Sequence, residues 1–128
     1  MDPPKAKARG YTWDPKTRIA TRQPGFNPTH EEAAAAIEAL DDWVGRERKP
    51  FALLLNSVQA RPVSLDERVA FSRFLSTHRD NVVAAAFGMS PDFQQQVEMG
   101  AAANGIRFRA FADEAGARAW LREQGFAA

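Results

Sequence analysis

The chain contains no cysteine, which excludes disulfide bonds, zinc–thiolate sites and thiol catalysis. It has no apolar run approaching the roughly 18 residues that a membrane-spanning helix needs, and its first ten residues lack the apolar stretch of a secretory signal. Glycine-rich phosphate-binding motifs and paired catalytic carboxylates are also missing. We therefore expect a cytoplasmic protein with no membrane span, no cofactor and no metal site.

The remaining composition is that of one ordinary globular domain. The chain has 128 residues, of which 45% are hydrophobic and 26% charged, and its net charge is +1. Residues 1–22 hold six of the basic side chains and only two acidic ones, whereas acidic side chains are in excess over residues 23–128. We predict a disordered basic tail over residues 1–10 and a folded domain over residues 11–128. The acidic excess of the domain argues against nucleic acid as its main partner.

Apolar patterning predicts an alternation of strands and helices. Continuous apolar runs such as FALLL and VVAAAF are typical of strands buried on both faces. Helices are expected after four capping residues, namely Thr29, Ser64, Ser90 and Asp113. Strands are expected at 11–13, 17–22, 51–55, 82–87 and 106–111. The predicted fold is an α/β domain of order β-β-α-β-α-β-α-β-α, with a mixed sheet of four to five strands, antiparallel near the N-terminus and parallel afterwards.

Polar residues follow the predicted buried strands. In an open α/β sheet, ligands bind outside the carboxyl ends of the strands, and two predicted helix N-termini also meet this rim. We therefore expect a partner or ligand to bind there. The candidate binding residues are Asn56, Ser57, Gln59, Ser64, Met89 and Ser90.

Two serines at this rim are candidates for a chemical role, and each also has a purely structural explanation. Ser64 is a candidate phosphoacceptor, because a phosphate there would meet free N–H groups, or it is simply an N-cap. Ser90 follows a predicted strand, as a nucleophile does in some hydrolases. However, the second glycine of that motif is missing, and His78 is expected at the opposite edge of the sheet. We therefore expect no enzymatic activity.

The element order, the FALLLN strand and the ending FADEAGARAWL resemble a STAS-type domain, the family of the anti-sigma-factor antagonists and of SpoIIAA-like single domains. The resemblance implies a SpoIIAA-like fold and partner switching by phosphorylation at the start of the second helix. The family has Asp-Ser-Ser/Thr-Gly there, whereas this chain has Ser64-Leu65-Asp66-Glu67 and no glycine. Asn56 also stands where the family has an aspartate.

Two functional hypotheses follow. The first is a non-catalytic protein-interaction or regulatory module, such as a degenerate STAS-type antagonist or a scaffold subunit of a bacterial regulatory complex. The alternative is a domain that binds a small anionic ligand, nucleotide or lipid, at the carboxyl rim. A protein partner of unknown identity is expected under the first hypothesis, and the Arg107/Arg109 strand is either a protected edge or the seam of a homodimer.

Overall fold

The computed structural model describes residues 6–45, 47–61 and 64–128. Helices and strands alternate in this part of the chain after three initial strands, which confirms the α/β class. The strands are β1 (Ala6–Ala8), β2 (Tyr11–Asp14), β3 (Ile19–Arg22), β4 (Phe51–Asn56), β5 (Val82–Phe87) and β6 (Arg107–Phe111). The helices are α1 (His30–Val44), α2 (Leu65–Thr77), α3 (Pro91–Ala103) and α4 (Glu114–Glu123).

The described strands form one mixed sheet whose spatial order follows the sequence from β1 to β6. β1, β2 and β3 pair antiparallel, and β3 to β6 pair parallel, so the predicted change of direction is confirmed. The predicted number of four to five strands is wrong, because the sheet has six. The additional strand, Ala6–Ala8, pairs with β2 inside the segment that we expected to be disordered. Residues 1–5 of that segment lie outside the described residues.

The hairpin of β2 and β3 fixes which side chains face each other at the start of the sheet. Its register pairs Tyr11 with Arg22 and Trp13 with Ala20. Directly opposed residues of an antiparallel pair share a face of the sheet. Tyr11, Trp13 and Ala20 are all buried on the face that carries the larger core. The hairpin therefore brings Tyr11 and Arg22 together on that face.

Three helices cover one face of the sheet and one helix covers the other. Successive parallel crossovers of the same hand, between strands that follow each other in space, carry their helices to one side. Accordingly α1, α2 and α3 contribute to the core that contains Leu53 and Ala84, whereas Ala117 and Leu121 of α4 join the core of the opposite face with Ala85. Ala84 and Ala85, which are adjacent on β5, therefore face different helix layers.

Helix α2 is anchored mainly in its C-terminal half, where Phe71 and Leu75 pack against the core and Ser72 Oγ accepts from Asn104 Nδ2 at the end of α3. Phe74 is its one buried residue. The Phe74 ring packs against Phe51 and His78, and His78 Nε2 lies 2.8 Å from Asp41 Oδ1 on α1. At the other end Leu65 is 67% exposed. Since α2 packs chiefly on α1 and α3 chiefly on β6, space is left between α2 and α3.

Candidate functional site

The predicted rim residues after β4 use their polar groups to build their own loop. Ser57 is 2% exposed, its backbone N–H donates to the Phe87 carbonyl at 2.9 Å, and its Oγ donates to the Leu55 carbonyl at 3.4 Å. Asn56 Oδ1 accepts from the N–H of Val58, and the Gln59 carbonyl accepts from the Asn27 side chain. These groups already take part in hydrogen bonds that stabilise the turn, so fewer of their donors and acceptors are left for a ligand.

The two predicted capping serines begin their helices as expected. Ser64 Oγ accepts from the N–H of Glu67, and Ser90 Oγ accepts from the N–H of Phe93, both at 3.3 Å. Both serines are exposed. Ser64 as a phosphoacceptor stays a prediction, and the acidic residues Asp66 and Glu67 in the same helical turn would repel an added phosphate.

A cavity of about 220 Å³ lies between the sheet and helices α1, α2 and α3. Of the six predicted binding residues, it is lined by Ser57 and Met89. Its floor comes from β2 to β6 and its walls from the three helices. Most of its lining side chains are apolar, among them Phe26, Ala33, Ala36, Ile37, Leu55, Phe71, Leu75, Ala84, Phe93, Val97, Ala101, Ile106 and Phe108.

Small residues of α3 leave this space open. The side chains from Gly100 to Ala103 are all small, a run that would allow α3 to approach another backbone closely. No such approach occurs at Gly100, because a Cβ built there meets nothing within 4 Å. Gly100 and Ala101 instead line the cavity. Exposed Arg68 and Gln96 also line it, so its mouth lies between α2 and α3.

Arg22 is the charged group at the sheet side of the cavity. Its Nη2 donates to the Phe26 carbonyl at 2.7 Å, and its guanidinium lies 5.4 Å from the centre of the Phe26 ring. Its Nε, in contrast, is buried with no hydrogen-bond partner among the described residues. A buried charged donor without a partner costs about 1–3 kcal/mol or more, so this atom is poised for an acceptor.

The Tyr11 hydroxyl lies beside this guanidinium. Tyr11 is 4% exposed, and burial raises the pKa of its phenol. The charge of Arg22 and a side-chain hydrogen bond with it oppose this rise, and the charge of Glu67 adds to it. The rise prevails, so Tyr11 keeps its proton and stays a hydrogen-bond donor at neutral pH. The cavity thus combines mainly apolar walls with the Arg22 guanidinium and the Tyr11 hydroxyl at its sheet side, and Glu67 and Arg68 line its helix side.

Tyr11 is the only tyrosine of the chain, so its ionisation can be followed directly. We expect the tyrosinate absorbance of the folded protein to rise at a higher pH than in the unfolded chain, where the midpoint is about 10. Because the pKa is raised in the folded state, its contribution to the free energy of unfolding is complete below about pH 10. That contribution is lost as the pH rises through the folded pKa. A folded midpoint at or below the unfolded one would contradict the burial of this phenol.

The turn after β5 brings the backbone against the β4 loop. Gly88 has a φ of 79°, and a Cβ built on it would lie 2.9 Å from the backbone nitrogen of Val58. We therefore expect Gly88→Ala to lower the free energy of unfolding by about 1–3 kcal/mol in urea denaturation. The matched control, Gly100→Ala, should leave it unchanged or raise it by up to about 1 kcal/mol, because Gly100 is helical and unobstructed. Equal losses at both positions would contradict this contact.

The amino ends of the parallel strands carry a different, polar hollow. It has a volume of about 760 Å³, and charged residues such as Asp41, Lys49 and Asp80 line it. His78 lies here, since its carbonyl accepts from the N–H of Val82 at the start of β5, whereas Ser90 follows the other end of that strand. The predicted separation of His78 from Ser90 is confirmed. Among the described residues, no three histidine or acidic side chains are grouped to hold a metal ion.

Tyr11 and Arg22 were not among the site residues predicted from the sequence. Both lie upstream of the buried strands at whose carboxyl ends the binding site was expected. The hairpin predicted from 11–13 and 17–22 did contain the signal, because closing it in register sets the chain's single tyrosine opposite Arg22. An arginine on the buried face of a strand is rare unless it has a partner.

Comparisons of the chain with protein-family models, with curated proteins and with solved structures found no match. The resemblance to STAS-type domains therefore stays a prediction. Across the described residues, every helix is too short or too polar to cross a membrane.

Proposed function

We propose that this domain is a non-catalytic binding module whose ligand is a small molecule with an apolar body, held in the cavity between the sheet and helices α1 to α3. The observation that carries the proposal is the cavity itself, which is lined mainly by apolar side chains and lies within a sheet-and-helix layer that is otherwise packed. Interiors rarely keep empty volumes much larger than a water molecule, so a space of this size points to an occupant.

The volume limits the size of that occupant. An apolar cavity of about 150 Å³ takes up benzene, and the present one is larger, at about 220 Å³. A single ring with a short substituent or one short aliphatic chain fits this space. Two acyl chains, or a nucleotide with base and sugar, exceed it.

Octanol is the probe for this proposal, because it has one short chain and no charge. We expect it to bind saturably in an NMR titration and to shift the methyl signals of Ala84, Val97 and Ala101. Ala117 on the opposite face should not respond, since it packs in the other core. The absence of saturable shifts, or shifts spread equally over both faces, would contradict the proposal.

A second candidate function, docking of a protein partner, is favoured by exposed apolar side chains beside the rim. Leu65 and Val69 lie one turn apart on α2 and are 67% and 42% exposed, and Val58 is exposed in the loop after β4. Adjacent exposed apolar residues are typical of interaction surfaces. This patch agrees with the regulatory module expected from the STAS-like pattern.

Paired variants test this second candidate in affinity purification from the native host. Leu65→Ser together with Val69→Ser should remove a partner that the unmodified protein retains. Met99→Ser is the control, because Met99 is equally exposed but lies on α3. Retention of the partner by the α2 variant, or its loss from the Met99 variant, would count against docking at this patch.

A further inference from the structure

We infer that the cavity selects a single-chain carboxylate, with its carboxylate bound by Arg22 Nε and the Tyr11 hydroxyl and its chain lying along the apolar walls. The inference rests on the proposed small-molecule function and adds to it the chemical class of the ligand. Its basis is the unpartnered buried donor of Arg22 in a cavity that is lined mainly by apolar side chains.

Arg22 has one buried donor that is still without a partner among the described residues. Its Nη2 is already bonded to the Phe26 carbonyl, and the Phe26 ring lies next to the guanidinium plane. These contacts fix the side chain and leave Nε without an acceptor among the described residues. A charge-assisted bond to a carboxylate oxygen is stronger than one to a neutral oxygen, so an anion satisfies this donor best.

Tyr11 supplies the second donor. It stands directly opposite Arg22 in the β2–β3 register, and its hydroxyl oxygen accepts a hydrogen bond from the guanidinium, which leaves its own O–H to donate. A carboxylate has two oxygens, one for the Arg22 Nε and one for the phenol. The pair is held by a strand register rather than by a mobile loop, which favours a preorganised site.

The surrounding charges favour a monoanion over a phosphate or a nucleotide. The N-terminal turn of α2 carries Asp66 and Glu67, and that of α3 carries Asp92. These carboxylates occupy the helix ends at which a phosphate would otherwise bind. Glu67 also lines the cavity itself. Arg22, Arg68 and Glu67 together give the lining a net charge of +1, which one carboxylate balances and a doubly charged phosphate exceeds.

Three probes with the same chain distinguish a preference for carboxylates from the small-molecule binding on which this inference rests. These are octanoate, octanol and octyl phosphate, titrated at neutral pH by calorimetry. We expect octanoate to bind roughly tenfold to a hundredfold more tightly than octanol, and octyl phosphate to bind more weakly than octanoate. Equal affinity for octanoate and octanol, or tighter binding of octyl phosphate, would overturn the inference and leave the proposed function intact. If none of the three binds, both fail.

Variants at the two cavity-lining arginines test which of them causes the preference for octanoate over octanol. In Arg22→Met, which keeps the aliphatic stem, we expect octanoate to lose its advantage while octanol still binds, which also shows that the cavity is intact. Arg22→Lys keeps the charge without the Nε donor and should recover only part of the advantage. In Arg68→Met, at the exposed mouth, the preference should change by less than about threefold. Loss of the preference in Arg68→Met but not in Arg22→Met would overturn the assignment.

The single tyrosine gives an independent readout. A carboxylate bound at Arg22 offsets the positive charge beside Tyr11, so octanoate should raise the pH at which tyrosinate absorbance appears more than octanol does. An equal displacement by both probes would show that the carboxylate lies away from Arg22.

Discussion

Ala84→Leu is expected to weaken octanol binding by about a hundredfold while changing the free energy of unfolding by less than about 1 kcal/mol. Ala84 lies on β5 and lines the cavity, so the larger side chain enters space that is now empty. Filling such a space removes the volume that a ligand needs, and it recovers contacts that the lining atoms lack. Calorimetric titration with octanol and urea denaturation measure the two quantities.

The neighbouring residue provides the matched control. Ala85→Leu introduces the same side chain on the same strand, but Ala85 is fully buried in the opposite core with Leu54 and Leu121. Overpacking a filled core costs about 1–3 kcal/mol, so this variant should lose stability and keep its affinity for octanol. If Ala84→Leu costs as much stability as Ala85→Leu, the space beneath α2 and α3 is not a usable cavity.

Phe51→Ala is expected to have the largest effect on stability, a loss of about 3–5 kcal/mol in the free energy of unfolding. Phe51 is 1% exposed, and its ring contacts those of Phe74 and His78, the two residues that anchor α2. Its removal therefore takes away both core volume and the attachment of this helix. Urea denaturation followed by tryptophan fluorescence gives the value.

Phe71→Ala is the comparison for Phe51→Ala, because it truncates a ring that lines the cavity and not one at the Phe74–His78 anchor of α2. The Phe71 ring stacks on Phe74 but is only half-buried and lines the cavity, so it already lacks neighbours on one side. The cost of truncation depends on the contacts that are lost, and we expect less than half of the loss seen for Phe51→Ala. Similar losses at the two positions would mean that α2 is packed along its whole length.

Much of the fold could be predicted from local signals. The runs FALLL and VVAAAF became central strands because each is buried on both faces, as a continuous apolar run requires. The serine and threonine caps at 29, 64 and 90 bond the helices that they were expected to begin. These features depend on a few adjacent residues, which is why the sequence was sufficient to predict them.

The features that were missed depend on distant contacts. Ala6–Ala8 has only two small apolar residues, too few to predict a strand, and it becomes one through pairing with β2. The cavity depends on how far α2 stands from α3, which is set by the anchor at Phe74 and by small residues on α3. No periodicity in either helix encodes that separation. The Tyr11–Arg22 pair lies between local signals and distant contacts, because the register of one hairpin is enough to predict it.

Contacts between octanoate and individual methyl groups test the central claim most directly. In nuclear Overhauser spectra of the protein saturated with octanoate, we predict transfer from the chain to the methyl groups of Ala84, Val97 and Ala101, which line the cavity. Transfer confined to Leu65, Val69 and Met99, the apolar side chains exposed on α2 and α3, would show that the molecule binds on the outer surface and would contradict a ligand cavity.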